Sequence, residues 1–155
     1  ILPRWFLKYT WQVNIMFKSL SLFNSAIVGV TSLELSEGYK IRLSCPEQAI
    51  LELCALVNDN SSFEEALHFI ESMRGIRPVR MQELLINCTS VKAKRIFLFL
   101  SEKTNMPWIE DIDRSKIALG TGNRQIIKNG VFEKKYKITI PKEWRNNNIN
   151  LEEMP

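Results

Sequence analysis

The stretch from Ser90 to Lys103 limits the possible folds most. Ser90 is a good helix N-cap, and Val91 to Lys103 follows at helical spacing. In its second half Ile96, Phe97, Leu98, Phe99 and Leu100 stand in a row. At 3.6 residues per turn, such a run makes the helix apolar almost all round. A helix of that kind is buried on most sides. The chain must therefore wrap this helix with other elements, and Asn105 and Pro107 close it. A length of 155 residues, 45% of them apolar, is enough for one domain built this way.

Three further helices precede it. Ser44-Cys45-Pro46-Glu47 reads as a capping box with proline in the first turn, followed by Ile50, Leu51, Cys54 and Val57 at helical spacing. Asn58-Asp59-Asn60 ends that helix. The next is expected to start at Ser61 or Ser62, each three residues before a glutamate (Glu64, Glu65), and to stop at Gly75. Its apolar face is Phe63, Ala66, Leu67, Ile70 and Met73. Pro78 opens another helix to about Cys88, with Met81, Leu84 and Leu85 inward.

The two ends of the chain read as extended. Trp11 to Phe23 is one such segment. Val30 to Leu35 and Tyr39 to Leu43 alternate about the turn Ser36-Glu37-Gly38, which predicts a hairpin. Beyond the helices, Ile117 to Leu119, Gln125 to Lys128 and Tyr136 to Ile140 are candidate strands, with Asn129-Gly130 as a hairpin turn. Strands, four helices and strands in segregated runs predict an α+β fold. The expected domain is residues 1–145, divided into a β part (1–44), a helical part (45–113) and a second β part (114–141). Residues 146–155 form a polar tail with Asn146–Asn148. Because the chain opens on Ile1, we expect it to be part of a longer protein.

The net charge of +4 is unevenly spread: residues 74–100 carry +5 and residues 114–145 carry +7, against −3 over residues 101–113. Two basic clusters are candidate nucleic-acid contacts. Lys92, Lys94 and Arg95 crowd the first turns of the apolar helix, where the helix dipole disfavours cations by a few tenths of a kcal/mol each. A phosphate backbone or a facing acidic patch would offset that cost. The alternative is that they solvate an exposed helix start. On a strand, Lys135 and Lys137 of the Glu133-Lys134-Lys135-Tyr136-Lys137 run would share a face and track phosphates. A lysine-guarded edge strand is the other reading.

Enzymatic motifs are sparse. His68 is the one histidine, and no triad can be built around it. Gly120-Thr121-Gly122 lacks the rest of a phosphate loop and reads as a connection. Asp113 with Glu133-x-Lys135 imitates the D…E-x-K set of metal-dependent nucleases, an alternative that would require both carboxylates to share one Mg²⁺. Cys45, Cys54 and Cys88 are odd in number and lack a C-x-x-C, which argues against both a disulfide framework and a zinc site. Buried thiols in a reducing cytoplasm are expected. No apolar run reaches the ~18 residues of a membrane span. No metal or cofactor is expected.

The segment from Ser44 to Ile140 resembles the C-terminal domain of AbiEi-type antitoxins, the repressor half of type IV toxin–antitoxin pairs. The resemblance is carried by Ser44-Cys45-Pro46-Glu47-Gln48-Ala49-Ile50-Leu51-Glu52, Leu84-Leu85, the run from Ser90 to Leu100, Pro107-Trp108, Leu119-Gly120-Thr121-Gly122 and Lys134-Lys135-Tyr136-Lys137-Ile138-Thr139-Ile140-Pro141. Leu2-Pro3-Arg4-Trp5-Phe6 and Trp11 also look like the start of that domain. Cys45 departs from the pattern, where serine or another small residue is expected. The resemblance implies a non-catalytic antitoxin and transcriptional regulator. It implies an N-terminal winged-helix domain, outside this chain, that binds operator DNA. It also implies a nucleotidyltransferase-like toxin opposed without a stable complex.

Overall fold

The computed structural model describes residues 17–24, 29–34, 38 and 40–144, and in addition residues 4, 8, 10 and 12. The fold is α+β. Strands β1 (Val30–Glu34) and β2 (Lys40–Ser44) form an antiparallel hairpin with Leu33 opposite Ile41. Its turn contains Gly38 at φ +78°, a conformation in which glycine carries no Cβ penalty. Ser36, Glu37, Leu35 and Tyr39 lie outside the described residues, as do most of 1–16 and the tail beyond Trp144. The extended segment expected at Trp11 to Phe23 is not a strand where it is described. It contributes one antiparallel bridge, Phe23 to Cys88. Leu22 is buried, and its carbonyl accepts from the Thr89 backbone N–H at 2.8 Å.

Four helices follow: α1 (Pro46–Leu56), α2 (Asn60–Ser72), α3 (Pro78–Asn87) and α4 (Val91–Lys103). Each N-terminus has its own chemistry. Proline stands in the first turn of α1 and α3, where a missing N–H costs nothing. The α1 N-cap is Cys45, without a side-chain bond, and not Ser44. Ser44 instead ends β2, and its Oγ donates to the Glu52 carboxylate at 2.9 and 3.0 Å. The Glu47 expected in that box is buried and paired with Arg77, thirty residues away in sequence. For α2 the box uses Asp59 and Ser62: Ser62 N–H donates to Asp59 Oδ1 (2.8 Å), and Asp59 N–H donates to Ser62 Oγ (3.1 Å). The expected Ser–Glu pairs lose because the helix starts two residues before Ser61, where Asp59 places its carboxylate at the dipole's positive end. Ser90 caps α4 as expected, accepting from Ala93 N–H at 3.2 Å.

The core forms around α4. Ile96, Phe97, Leu98 and Leu100 have no accessible surface. α1 packs along α4 and also meets α2 and α3, while α2 packs on α4 as well. Phe97 stacks on Trp108 with centroids 5.6 Å apart, and the Trp108 indole N–H donates to the Met73 carbonyl at 3.0 Å. That bond fastens a short 3-10 helix (Pro107–Asp111) to the end of α2. Full burial of side chains this size is worth about 1.5–3 kcal/mol each.

The C-terminal part departs most from expectation. Ile117 to Leu119 and Gln125 to Lys128 are not strands; Arg124 makes a single parallel bridge to Ile138. The hairpin consists of β3 (Val131–Glu133) and β4 (Ile138–Ile140), turning through residues 134–137 and not at Asn129-Gly130. Glu133 makes that turn: its carboxylate accepts the N–H groups of Lys135 (3.0 Å) and Tyr136 (2.6 Å). Asn129 does adopt φ +61°, but it redirects the chain into β3. A Cβ on Gly130 would come within 2.5 Å of the Ile140 carbonyl oxygen, so only glycine lets the two strands approach there.

The Glu47–Arg77 pair sets an acid limit on stability. Burial by itself raises the Glu47 pKa. Hydrogen bonds from the Arg77 side chain, the Glu47 and Arg77 backbone and Cys45 outweigh it and bring it down to about 2. A carboxyl depressed in the folded state stabilises fully above its unfolded pKa and loses that contribution as pH falls toward the folded value. Since the Arg77 side chain is more than half exposed, solvent screening weakens the pair, and its contribution is smaller than the displaced pKa alone implies. Urea unfolding at neutral pH and near pH 3 should therefore show Glu47→Gln less stable at neutral pH, with the gap to the native chain narrowing in acid. A gap independent of pH would show that the charge contributes nothing.

Candidate nucleic-acid interface

The six basic residues singled out from the sequence separate into two groups. Those at the start of α4 point into the molecule. Lys92 Nζ donates to the Ala55 carbonyl at 2.9 Å, tying α4 to the end of α1. Lys94 is 3% exposed. Burial lowers the pKa of both lysines. Arg95 is 2% exposed, and its guanidinium is spread over backbone carbonyls: Leu119 (2.9 Å), Gly120 (3.1 Å), Gly122 (2.6 Å) and Lys137 (3.2 Å). Burial first, and then the charge of Arg124, lower its pKa. Lys94 and Arg95 are therefore corrected from candidate phosphate contacts to structural cations. Carbonyl oxygens offset the helix-dipole cost at Arg95.

Lys134, Lys135 and Lys137 are all exposed. They lie on the β3–β4 turn, so no strand aligns Lys135 with Lys137. Lys135 Nζ is held by the Glu102 carboxylate at 2.7 Å, and Arg114 is paired with the same carboxylate. Lys137 has φ +53°, and its Nζ donates to the Thr121 carbonyl at 3.2 Å. The Lys137 carbonyl accepts from the Arg124 N–H at 2.9 Å as well as from Arg95. That bond brings Arg124 beside the turn. Sequence reading counted Arg124 in the basic segment without singling it out, because its neighbour Lys137 is thirteen residues away. The accessible basic corner is thus Arg124, Lys134, Lys135 and Lys137, with Arg95 beneath it.

The nuclease-like residues are engaged locally. Asp113 caps a short 3-10 helix (Arg114–Lys116): its Oδ1 accepts from Ser115 N–H (3.1 Å) and Oγ (2.6 Å), and its Oδ2 faces Lys116 Nζ at 3.0 Å. Ser115 first and Lys116 second hold its pKa below the ordinary range. Both oxygens of Glu133 accept the turn N–H groups. Among the described residues no group of three or more His, Cys, Asp or Glu could hold a metal ion. His68 is exposed beside Glu71. Cys45, Cys54 and Cys88 are free and buried, and burial raises the Cys54 and Cys88 thiols. Among the described residues no helix is long and apolar enough to cross a membrane.

A family profile described as transcriptional regulator, AbiEi antitoxin, type IV TA system matches residues 1–141. The chain belongs to the AbiEi antitoxin family. The family is a regulatory one. No curated protein and no solved structure matches the chain.

Arg95 should be the most sensitive polar position in this antitoxin. Arg95→Met takes the side-chain donor from the Leu119, Gly120 and Gly122 carbonyls, while the Lys137 carbonyl keeps the Arg124 N–H, and should cost more than about 3 kcal/mol. Arg95→Lys restores the charge but not the planar fan of donors and should recover less than half. Denaturant midpoints measure both. If Arg95→Met matched the native chain, the loop would be held by something else.

Proposed function

We propose that this chain is the effector domain of a type IV antitoxin. In this reading it is non-catalytic and works in the cytoplasm. It opposes a nucleotidyltransferase-like toxin without a stable complex. It assists operator binding by a winged-helix domain carried elsewhere in the protein. The observation behind it is the family match along residues 1–141.

Electrostatics support the DNA part. The corner of Arg124, Lys134 and Lys137 is exposed. The hydrogen-bond partners of Arg95 among the described residues are neutral carbonyls, so its charge adds to the field from below. Lys135 contributes least, because Glu102 already pairs it. Arg95 acts by holding that surface in shape, and Lys92 by tying α4 to α1.

Two experiments test this. Co-expression of the whole protein with the toxin encoded beside it should restore growth, and the protein should shift its own promoter DNA. If neither happens, the reading fails. Reversing Arg124, Lys134 and Lys137 to glutamate should weaken operator binding. The slope of log affinity against log salt should flatten by roughly 0.9 for each phosphate contact removed. An unchanged slope would exclude this corner from the DNA surface.

A further inference from the structure

A groove of about 720 Å³ opens between the C-terminal end of α4 and the β3–β4 hairpin. Phe99, Phe132 and Trp144 line it, together with Lys103, Lys134 and Lys135. Volumes of this order are typical of small-ligand sites.

One of its groups is not explained by packing. Phe132, opposite Thr139 on β3, is 45% exposed among the described residues. Tyr136 is 3% exposed, lines the same groove and packs edge-on to Phe99 with centroids 6.3 Å apart. Trp144 is held in a fixed plane, edge-on to Phe63 at 5.2 Å and stacked with Phe99 at 6.3 Å. Lys103 Nζ stands 5.5 Å over the Trp144 ring. The two carboxylates in the lining are already engaged, Glu102 by Lys135 and Arg114, Glu133 by the turn N–H groups.

We propose that this groove binds a nucleotide, with the base against Phe132 and Trp144 and the phosphate at Lys103 and Lys134. Aromatic platforms beside cations suit a planar base joined to an anion. Duplex DNA offers no free base face, so the aromatic part of this site is distinct from the operator-binding corner, with which it shares Lys134, and substitution of Phe132 tests the groove alone. A free nucleotide and one nucleotide of a single strand present the same groups, and the test below distinguishes them.

The whole chain is titrated against labelled short single strands of DNA and RNA, against adenosine monophosphate as competitor, and against a duplex of arbitrary sequence. Single strands should bind, and Phe132→Ala should weaken them about tenfold while leaving the duplex affinity unchanged. Phe132→Leu keeps the apolar contact without the ring. It should behave like Phe132→Ala, and circular dichroism should show both variants folded. Displacement of the strand by the monophosphate identifies a free-nucleotide site. Strand binding that the monophosphate does not displace, but that Phe132→Leu weakens, identifies a strand site. The proposal is overturned if neither probe binds at millimolar concentration, or if Phe132→Leu leaves binding intact.

Discussion

Arg95 carries a full charge at 2% exposure and is satisfied by neutral carbonyls. Removing a guanidinium from water is costly, and only several well-placed acceptors offset it. The carbonyls come from the loop at 119–122 and from Lys137, so one side chain of α4 gathers two separate pieces of the C-terminal part. Those pieces have little regular structure of their own, since β3 and β4 are three residues each. Segments this short bury too little to hold themselves. Their shape comes from point contacts: Arg95 on the loop, Thr139 Oγ1 accepting from Ile126 and Ile127, and Glu133 closing the turn.

The same contacts determine the surface. By holding Lys137 and Arg124 together, the Arg95 network assembles a basic corner from residues far apart in sequence. A carboxylate paired with Arg95 would have cancelled its charge there. The carboxylates and thiols serve structure in the same way, capping turns, pairing with arginines or filling the core.

The helices were legible because their signals are local. Ser90 as a cap, Pro78 in a first turn, and the Ile96–Leu100 run each specify a result within a turn or two. Caps were misread where a distant partner competed: Ser44 was drawn to Glu52 and Glu47 to Arg77. The C-terminal strands were misread because Asn129-Gly130 looks like a hairpin turn, whereas Glu133 holds the actual one with its own side chain.

By itself the sequence determined the four helices, the all-round burial of α4 and the concentration of charge after residue 114. Those follow from periodicity and composition, which do not depend on what lies across the molecule. Tertiary structure alone decided which cations meet solvent. Arg95 and Lys137 are both basic residues in basic segments, but one is sealed under a loop and the other stands on a turn. A side chain's exposure depends on what packs over it, and for Arg95 that loop lies more than twenty residues further along the chain.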